Sequence, residues 1–198
     1  MKKRLPRLAD DVLPKLEVPV RRLMESDRPA LLDYYRRLSL ADRTALFGFP
    51  LPDDKLAIYV NRLNLETDGH VAARGAASVL IGVGHCIVFD NQGVLNVHVA
   101  HGYRRRGIGT ALGRELARFG ASRSLRWLRA YFSKNDPIAA SLARSLGLEL
   151  NFGLDRFYAE RALAKPGTAA RRVLPVKVDR AIQSANDQPE SAEASAPA

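Results

Sequence analysis

The chain has 198 residues, a formal net charge of +10 and 46% hydrophobic residues. That length suits one domain of ordinary size with tails, able to bury a core without disulfides or metal. Its single cysteine excludes an internal disulfide, and no apolar run approaches the ~20 residues of a membrane-spanning helix.

The cysteine, Cys86, stands in the apolar run IGVGHCIVFD and reads as a small buried hydrophobe rather than a reactive thiol. The start, MKKRLPRLADDVLPKLE, has the positive end of a signal peptide. Pro6, Asp10, Asp11 and Pro14 interrupt the apolar middle that such a peptide needs. The expectation is a cytoplasmic protein of a reducing compartment, with no membrane partner. The positive balance points to acidic partners: nucleic acid, a phosphorylated cofactor or an acidic protein surface.

Residues 1–17 read as a flexible basic arm. VPVRRL, from Val18 to Leu23, reads as a short strand. A helix follows, capped by Ser26 or Asp27, with Pro29 in its first turn and Leu31, Leu32, Tyr35 and Leu38 on one face. Ser39 with Asp42 predicts a second cap before LADRTALFGF. DDKLAIYVNRL predicts a third helix, with Leu56, Tyr59 and Leu63 in register.

The period then changes to that of strands. GHVAARG, SVLIGVGHCIVF and GVLNVHVAH read as three strands, the last two joined as a hairpin by DNQG, where Asn91 and Gly93 supply the turn chemistry. After the basic loop, Ile108, Ala111, Leu112, Leu116 and Phe119 share one helix face. SLRWLRAYF reads as a strand. NDPIAASLARSLGL reads as a helix capped by Asn135 or Asp136 and stopped by Gly147. LELNFGLDRFYAERAL closes with a hairpin. Residues 164–198 read as a basic linker and a disordered Ser, Ala, Pro and Glu tail. The resulting order predicts a mixed α/β layer over residues 18–163, antiparallel in front with one parallel crossover behind.

YRRRGIGTAL, from Tyr103 to Leu112, places three arginines between a strand and a helix N-terminus. A helix start exposes unpaired N–H groups and the positive end of the helix dipole. Gly107 and Gly109 lack a Cβ, so an anion can approach the backbone, and the diphosphate of a nucleotide or of coenzyme A fits best. No Walker loop is present. GIGTALG is one residue too long for the dinucleotide fingerprint, and the acidic residue expected ~20 positions on is missing.

What remains is Arg104-x-x-Gly107-x-Gly109 after a strand, with an Asn-bearing helix start about 30 residues later. On these residues the chain resembles the GNAT family of acyl-CoA-dependent N-acetyltransferases, from about Val18 to about Leu163. The front helices, MESDRPALLDYYRRLSLADRTALF, look like the bacterial branch that acetylates protein lysines. The resemblance implies a central, mostly antiparallel, V-splayed sheet flanked by helices, and acetyl-CoA as acyl donor. It implies that the backbone of Val97 to Val99 meets the pantetheine arm. The main-chain N–H groups of Arg104, Arg105, Arg106, Gly107, Ile108, Gly109 and Thr110 would cradle the diphosphate, with arginine charge at the rim. Asn135 would face the cofactor arm or serve as a cap.

The implied reaction is attack of an amine, on a protein lysine or a small molecule, on the thioester. It needs a base, an oxyanion donor and a proton for the leaving sulfur. Here the sequence departs from the family: Val94 stands near the usual Glu, and Ala143 at the usual Tyr. His98, on the strand itself, is the first candidate base, with Asn96, His101 and His85 as polar alternatives, and Tyr158 a substitute acid. Asp53 and Asp54 could meet a cationic amine or cap a helix. An inactive acyl-CoA-binding sensor and a basic nucleic-acid-binding module, the latter through RRRG and RSLRWLRAYF, stand as competing readings. A homodimer is compatible with the sequence.

Overall fold

The computed structural model describes residues 17–133, 136–152 and 157–163. The basic arm, the linker and the tail expected from the sequence, and Asn135, lie outside them. The chain divides into two compact units, one built on residues up to Leu23 together with Asp68 onward, the other on Met24–Thr67.

The second unit is helical: α1 (Arg28–Arg36), α2 (Leu40–Phe47) and α3 (Asp53–Arg62). Leu31, Tyr35, Leu38, Leu56, Tyr59 and Leu63 are buried, as their spacing requires. Tyr35, Phe47 and Tyr59 meet edge to face at centroid distances of 5.0 to 5.8 Å. Ser39 caps α2, accepting from the Asp42 N–H at 3.1 Å. The cap expected for α1 takes another form. A 3-10 turn over Glu25–Asp27 comes first, and the buried Asp27 carboxylate accepts from the Met24 N–H at 2.9 Å, while Ser26 is exposed. Asp53 is paired with Arg43, so it is a helix-to-helix tie within this unit.

The first unit is a seven-stranded sheet in the order β1-β2-β3-β4-β5-β7-β6. Its strands are β1 (Val20–Arg22), β2 (Gly69–Arg74), β3 (Leu80–Phe89), β4 (Gln92–Val99), β5 (Trp127–Phe132), β6 (Glu149–Phe152) and β7 (Phe157–Ala162). The β4–β5 pair is the parallel one, joined by the crossover helix α4 (Ile108–Ser122). The remaining pairs are antiparallel, and α5 (Pro137–Ser145) follows β5. Both the order and the mixed architecture match the sequence reading. Among the described residues no helix is long and apolar enough to cross a membrane.

The β3–β4 hairpin closes on the Phe89–Gln92 pair, with Asp90 at φ +45° and Asn91 at φ +61°. Two positive φ values in a two-residue loop make the turn that matches strand twist. Gly93 is therefore not a turn residue, contrary to the sequence reading. It lies inside β4, where a Cβ would sit 2.5 Å from Cys86 Sγ and 3.0 Å from Leu125 Cδ1. Its lack of a side chain is a packing requirement.

α4 lies against one face of the sheet, Ile108 and Leu112 meeting Gly82 and Leu116 meeting Gly84. Gly82 and Gly84 pair with Val99 and Val97, so these valines share the α4 side. Leu95, Val99, Ile108, Leu112, Leu116 and Leu128 are buried there in one core. Each such side chain contributes about 1.5–3 kcal/mol when fully removed from water.

Candidate active site

The parallel β4–β5 pairing runs from Gln92–Trp127 to Leu95–Ala130 and stops. Asn96, Val97, His98 and Val99 continue beyond it, held on the other side by β3. Their parity follows from one bond: the Ala100 N–H donates to the Ile81 carbonyl at 2.9 Å. Antiparallel ladders alternate, so His98 and Asn96 also bond toward β3, and the backbone N–H and C=O of Val97 and Val99 turn toward the β5 side. A gap thus opens between two strands, edged by main-chain polar groups.

At the mouth of this gap is the basic loop. After one 3-10 turn over His101–Tyr103, Arg105 takes φ +62° and Gly107, the N-cap of α4, takes φ +83°. No side chain caps α4, whose first intrahelical bond is from the Ala111 N–H to the Gly107 carbonyl at 3.0 Å. The N–H groups of Ile108, Gly109 and Thr110 precede that bond and carry the positive end of the dipole. Arg106 Nε is buried and has no hydrogen-bond partner among the described residues. Thr110 Oγ1 lies 3.3 Å from Ser145 Oγ, joining the start of α4 to the end of α5.

The two glycines differ in what they do. Gly107 is required by its left-handed backbone. Gly109 is not required by the protein, since a Cβ there would meet nothing closer than Leu142 at 3.7 Å and Val99 at 3.8 Å. Arg104 departs from the rim role expected of it. Its N–H donates to the His101 carbonyl at 3.3 Å, so that amide is taken. Its side chain folds back, Nε donating to the Val99 carbonyl at 2.8 Å and Nη2 lying 3.2 Å from His98 Nε2. Arg105, exposed, and Arg106, half-buried, follow it in the loop.

A guanidinium only donates, so His98 Nε2 must accept. That occupies the lone pair a base needs and leaves Nδ1 as the protonated nitrogen. A protonated ring would set two donors face to face. In this arrangement His98, which is buried, holds Arg104 through Nε2.

His98 belongs to the sheet face opposite α4. Along that face the register brings Val94 beside Arg129, and Arg129 beside Glu160. Arg129 Nε donates to Glu160 Oε2 at 3.0 Å, with the two side chains 4% and 3% exposed. Tyr158, half-buried, pairs with Tyr131 across the strands at a ring distance of 6.2 Å, on the same face. Asn96 is exposed, and His101 is exposed in the loop. Asp136 caps α5, accepting from the Ala139 N–H at 2.8 Å.

Two buried polar pairs escaped sequence reasoning as pairs. One is Arg129–Glu160. The other is His70 and His85, whose Nδ1 atoms lie 2.6 Å apart at a cross-strand pair. Burial, and then the neighbouring His70, hold His85 well below the ordinary histidine range. Strand alternation alone places these residues on one face; only the register puts them opposite each other. Burial, with a smaller contribution from Asp68, pushes the Cys86 thiol up to about 12, as a structural cysteine should be.

Residues 25–148 match the acetyltransferase (GNAT) family. Comparison with curated proteins found no match. Among solved structures, a GNAT superfamily phosphinothricin acetyltransferase from Sinorhizobium meliloti, in complex with AcCoA, is similar at TM-score 0.63 and 20% identity, over 79% of this chain and 97% of that one. The ribosomal-protein-alanine N-acetyltransferase from Brucella melitensis is similar at TM-score 0.60 and 22% identity, over 73% and 99%. YncA from Salmonella typhimurium, with its cofactor acetyl-CoA, gives TM-score 0.60 and 14% identity, over 79% and 99%. With a parallel β4–β5 pairing that stops at Leu95–Ala130, its Arg104-x-x-Gly107-x-Gly109 loop and a family match over more than half its length, the chain belongs to the acetyltransferase (GNAT) family.

Proposed function

We propose that the protein is an N-acetyltransferase that moves the acetyl group of acetyl-CoA to a primary amine by direct attack. The observation that carries this reading is the junction of two features: the strand gap edged by the backbone of Val97 and Val99, and the uncapped start of α4 with the unpartnered Arg106 Nε. The N–H groups of Ile108, Gly109 and Thr110 are suited to the diphosphate, and Arg105 and Arg106 add charge. Val97, whose N–H and C=O face the gap, is suited to an amide-bearing arm. Asn135 is assigned to the same arm.

Acetyl-CoA supplies a thioester carbon open to an amine. A C–N bond forms, the C–S bond breaks, the amine gives up a proton and the leaving sulfur takes one. The Val97 N–H is the oxyanion donor in this reading. The Tyr158 phenol, on the face shared with Asn96, is the proton source for the sulfur. Asn96 accepts an amine N–H through its amide oxygen but cannot take the proton. With His98 committed to Arg104, the amine enters already neutral, and the proton its nitrogen sheds after attack passes through solvent to restore the Tyr158 phenol. A cytoplasmic location fits the single buried thiol.

The acceptor is a protein amine or a small molecule. One similar protein is named for a ribosomal-protein alanine and another for phosphinothricin, so the fold alone leaves that choice open. The test is calorimetry with acetyl-CoA, then thiol release with protein lysines, peptide N-termini, polyamines and aminoglycosides. Micromolar cofactor binding with amine-dependent thiol release supports the reading. A second reading, an acyl-CoA-binding sensor, is favoured by Val94 and the buried Ala143 at the positions of the usual base and acid. Binding without release by any amine would select it; absence of binding would remove both.

A further inference from the structure

We propose that the outer surface of α4 is a docking track for a nucleic-acid phosphodiester backbone. Arg114 and Arg118 of α4 and Arg161 of β7 line an open groove of about 370 Å³ near the end of α5. Arg118 also borders a second hollow of about 240 Å³, lined by Arg22 and Phe119, and so stands between the two. Beside the second hollow, Arg22 and Arg123 both lie over the Phe119 ring, at 5.3 and 5.5 Å from its centroid. Arg114 and Arg118 of α4, Arg123 at its end, and Arg22 and Arg161 of the neighbouring strands thus place five guanidinium groups around this helix. Glu115, paired with Arg118, is the carboxylate that lines this track among the described residues.

The chemistry of the row selects its partner. All five cations are arginine, whose planar fork matches phosphate oxygens in pairs. Arg114 and Arg118 lie one turn apart on one helix face. Arg114 to Arg123 covers about 13 Å along the α4 axis, and a duplex presents one phosphate per ~3.4 Å of each strand, so a polymer can meet several of these cations where a small anion meets one part. Arg114 lies about 9 Å along the helix from Ile108, which separates the track from the diphosphate loop. The net charge of +10 supplies the long-range attraction. The residues differ from those suggested by sequence: RRRG is the loop, and Arg126 and Trp127 are not on this track.

The experiment uses the full chain and fluorescence anisotropy with labelled 20-nucleotide RNA and DNA, single-stranded and duplex, from 50 to 300 mM salt. The wild-type protein is expected to bind with an affinity that falls linearly on logarithmic axes. Arg114→Gln with Arg123→Gln keeps the Arg118–Glu115 pair. It is expected to lose roughly tenfold in affinity at 100 mM salt and to flatten the salt slope by one to two units, with acetyl-CoA affinity and thermal midpoint unchanged. RNA and DNA arms decide which polymer is preferred. No wild-type binding, or a variant with unaltered affinity and slope, overturns the proposal. So does displacement of RNA by polyglutamate as effectively as by polyuridylate, which would assign the surface to an acidic protein. A variant weakened toward coenzyme A but not toward its 3′-dephospho form overturns it as well, because the groove then reads the cofactor.

Discussion

Arg104 donates to His98 Nε2 across 3.2 Å while its Nε donates to the Val99 carbonyl at 2.8 Å, so one loop arginine holds both the strand end and the ring beside it. On the proposed reading, neither nitrogen of His98 takes a proton from an ammonium. The consequence is kinetic. At subsaturating amine, log kcat/KM should rise with a slope near one below the acceptor's own pKa, and the inflection should move when a less basic amine is used. His98→Ala should lower turnover by roughly tenfold, as expected when a positioning contact is lost, and keep the shape of the profile. A profile whose inflection stays fixed across acceptors and disappears in His98→Ala would restore the ring as the base.

The two loop glycines separate folding from binding. Gly107→Ala forces a side chain onto φ +83° and should cost about 1–2 kcal/mol of stability. Gly109→Ala meets only ordinary contacts and replaces a poor helix former, so stability should hold or rise by up to ~1 kcal/mol. Acetyl-CoA affinity should nevertheless fall at least tenfold, and Gly109→Glu should abolish it by placing bulk and negative charge at the α4 start. Urea unfolding and calorimetry on the same samples measure both effects. Undiminished affinity in Gly109→Glu would move the diphosphate elsewhere.

Much of this site was legible because it is local. The turn at Asp90 and Asn91, the caps at Ser39 and Asp136, the stop at Gly147 with φ +71° and the helix face of Ile108, Leu112 and Leu116 each depend on a few adjacent residues. What was misread depends on how the chain folds back on itself rather than on adjacent residues. Gly93 looked like turn chemistry because it adjoins Asn91; only the packed Cys86 and Leu128 show why a Cβ is excluded. Arg104 leads the motif, and the sequence alone does not show that its side chain turns back to the strand end. Its reach back to Val99 follows from the path of the loop. His70 with His85, and Arg129 with Glu160, become pairs only once the register of the hairpins is set.

The Arg129–Glu160 pair has a testable asymmetry. Both side chains are almost fully buried, so removing one leaves a charge without compensation. Glu160→Leu should cost about 3–5 kcal/mol in urea unfolding, whereas Arg129→Met combined with Glu160→Leu should fall close to the parent protein. Equal losses in the single and double variants would mean that packing, not charge, governs this part of the sheet.

The buried imidazole pair gives stability a defined pH dependence. At 2.6 Å, one Nδ1 of His70 and His85 carries the hydrogen and the other accepts it, an arrangement that a second proton would break. Burial and His70 hold His85 well below the ordinary value of 6.5, which the unfolded chain recovers. Above that value both states are neutral at this site and stability is level. Below it, the unfolded chain takes up a proton that the folded pair refuses, so stability should decline as pH falls, by up to ~1.4 kcal/mol per pH unit for each proton so excluded. Urea midpoints at pH 8, 6.5 and 5.5 should show a plateau followed by a fall. His70→Leu combined with His85→Phe should reduce that fall, whatever its own effect on the plateau. An equal fall in the double variant would place the acid sensitivity in other groups, because no imidazole would remain on these two strands to exclude the proton.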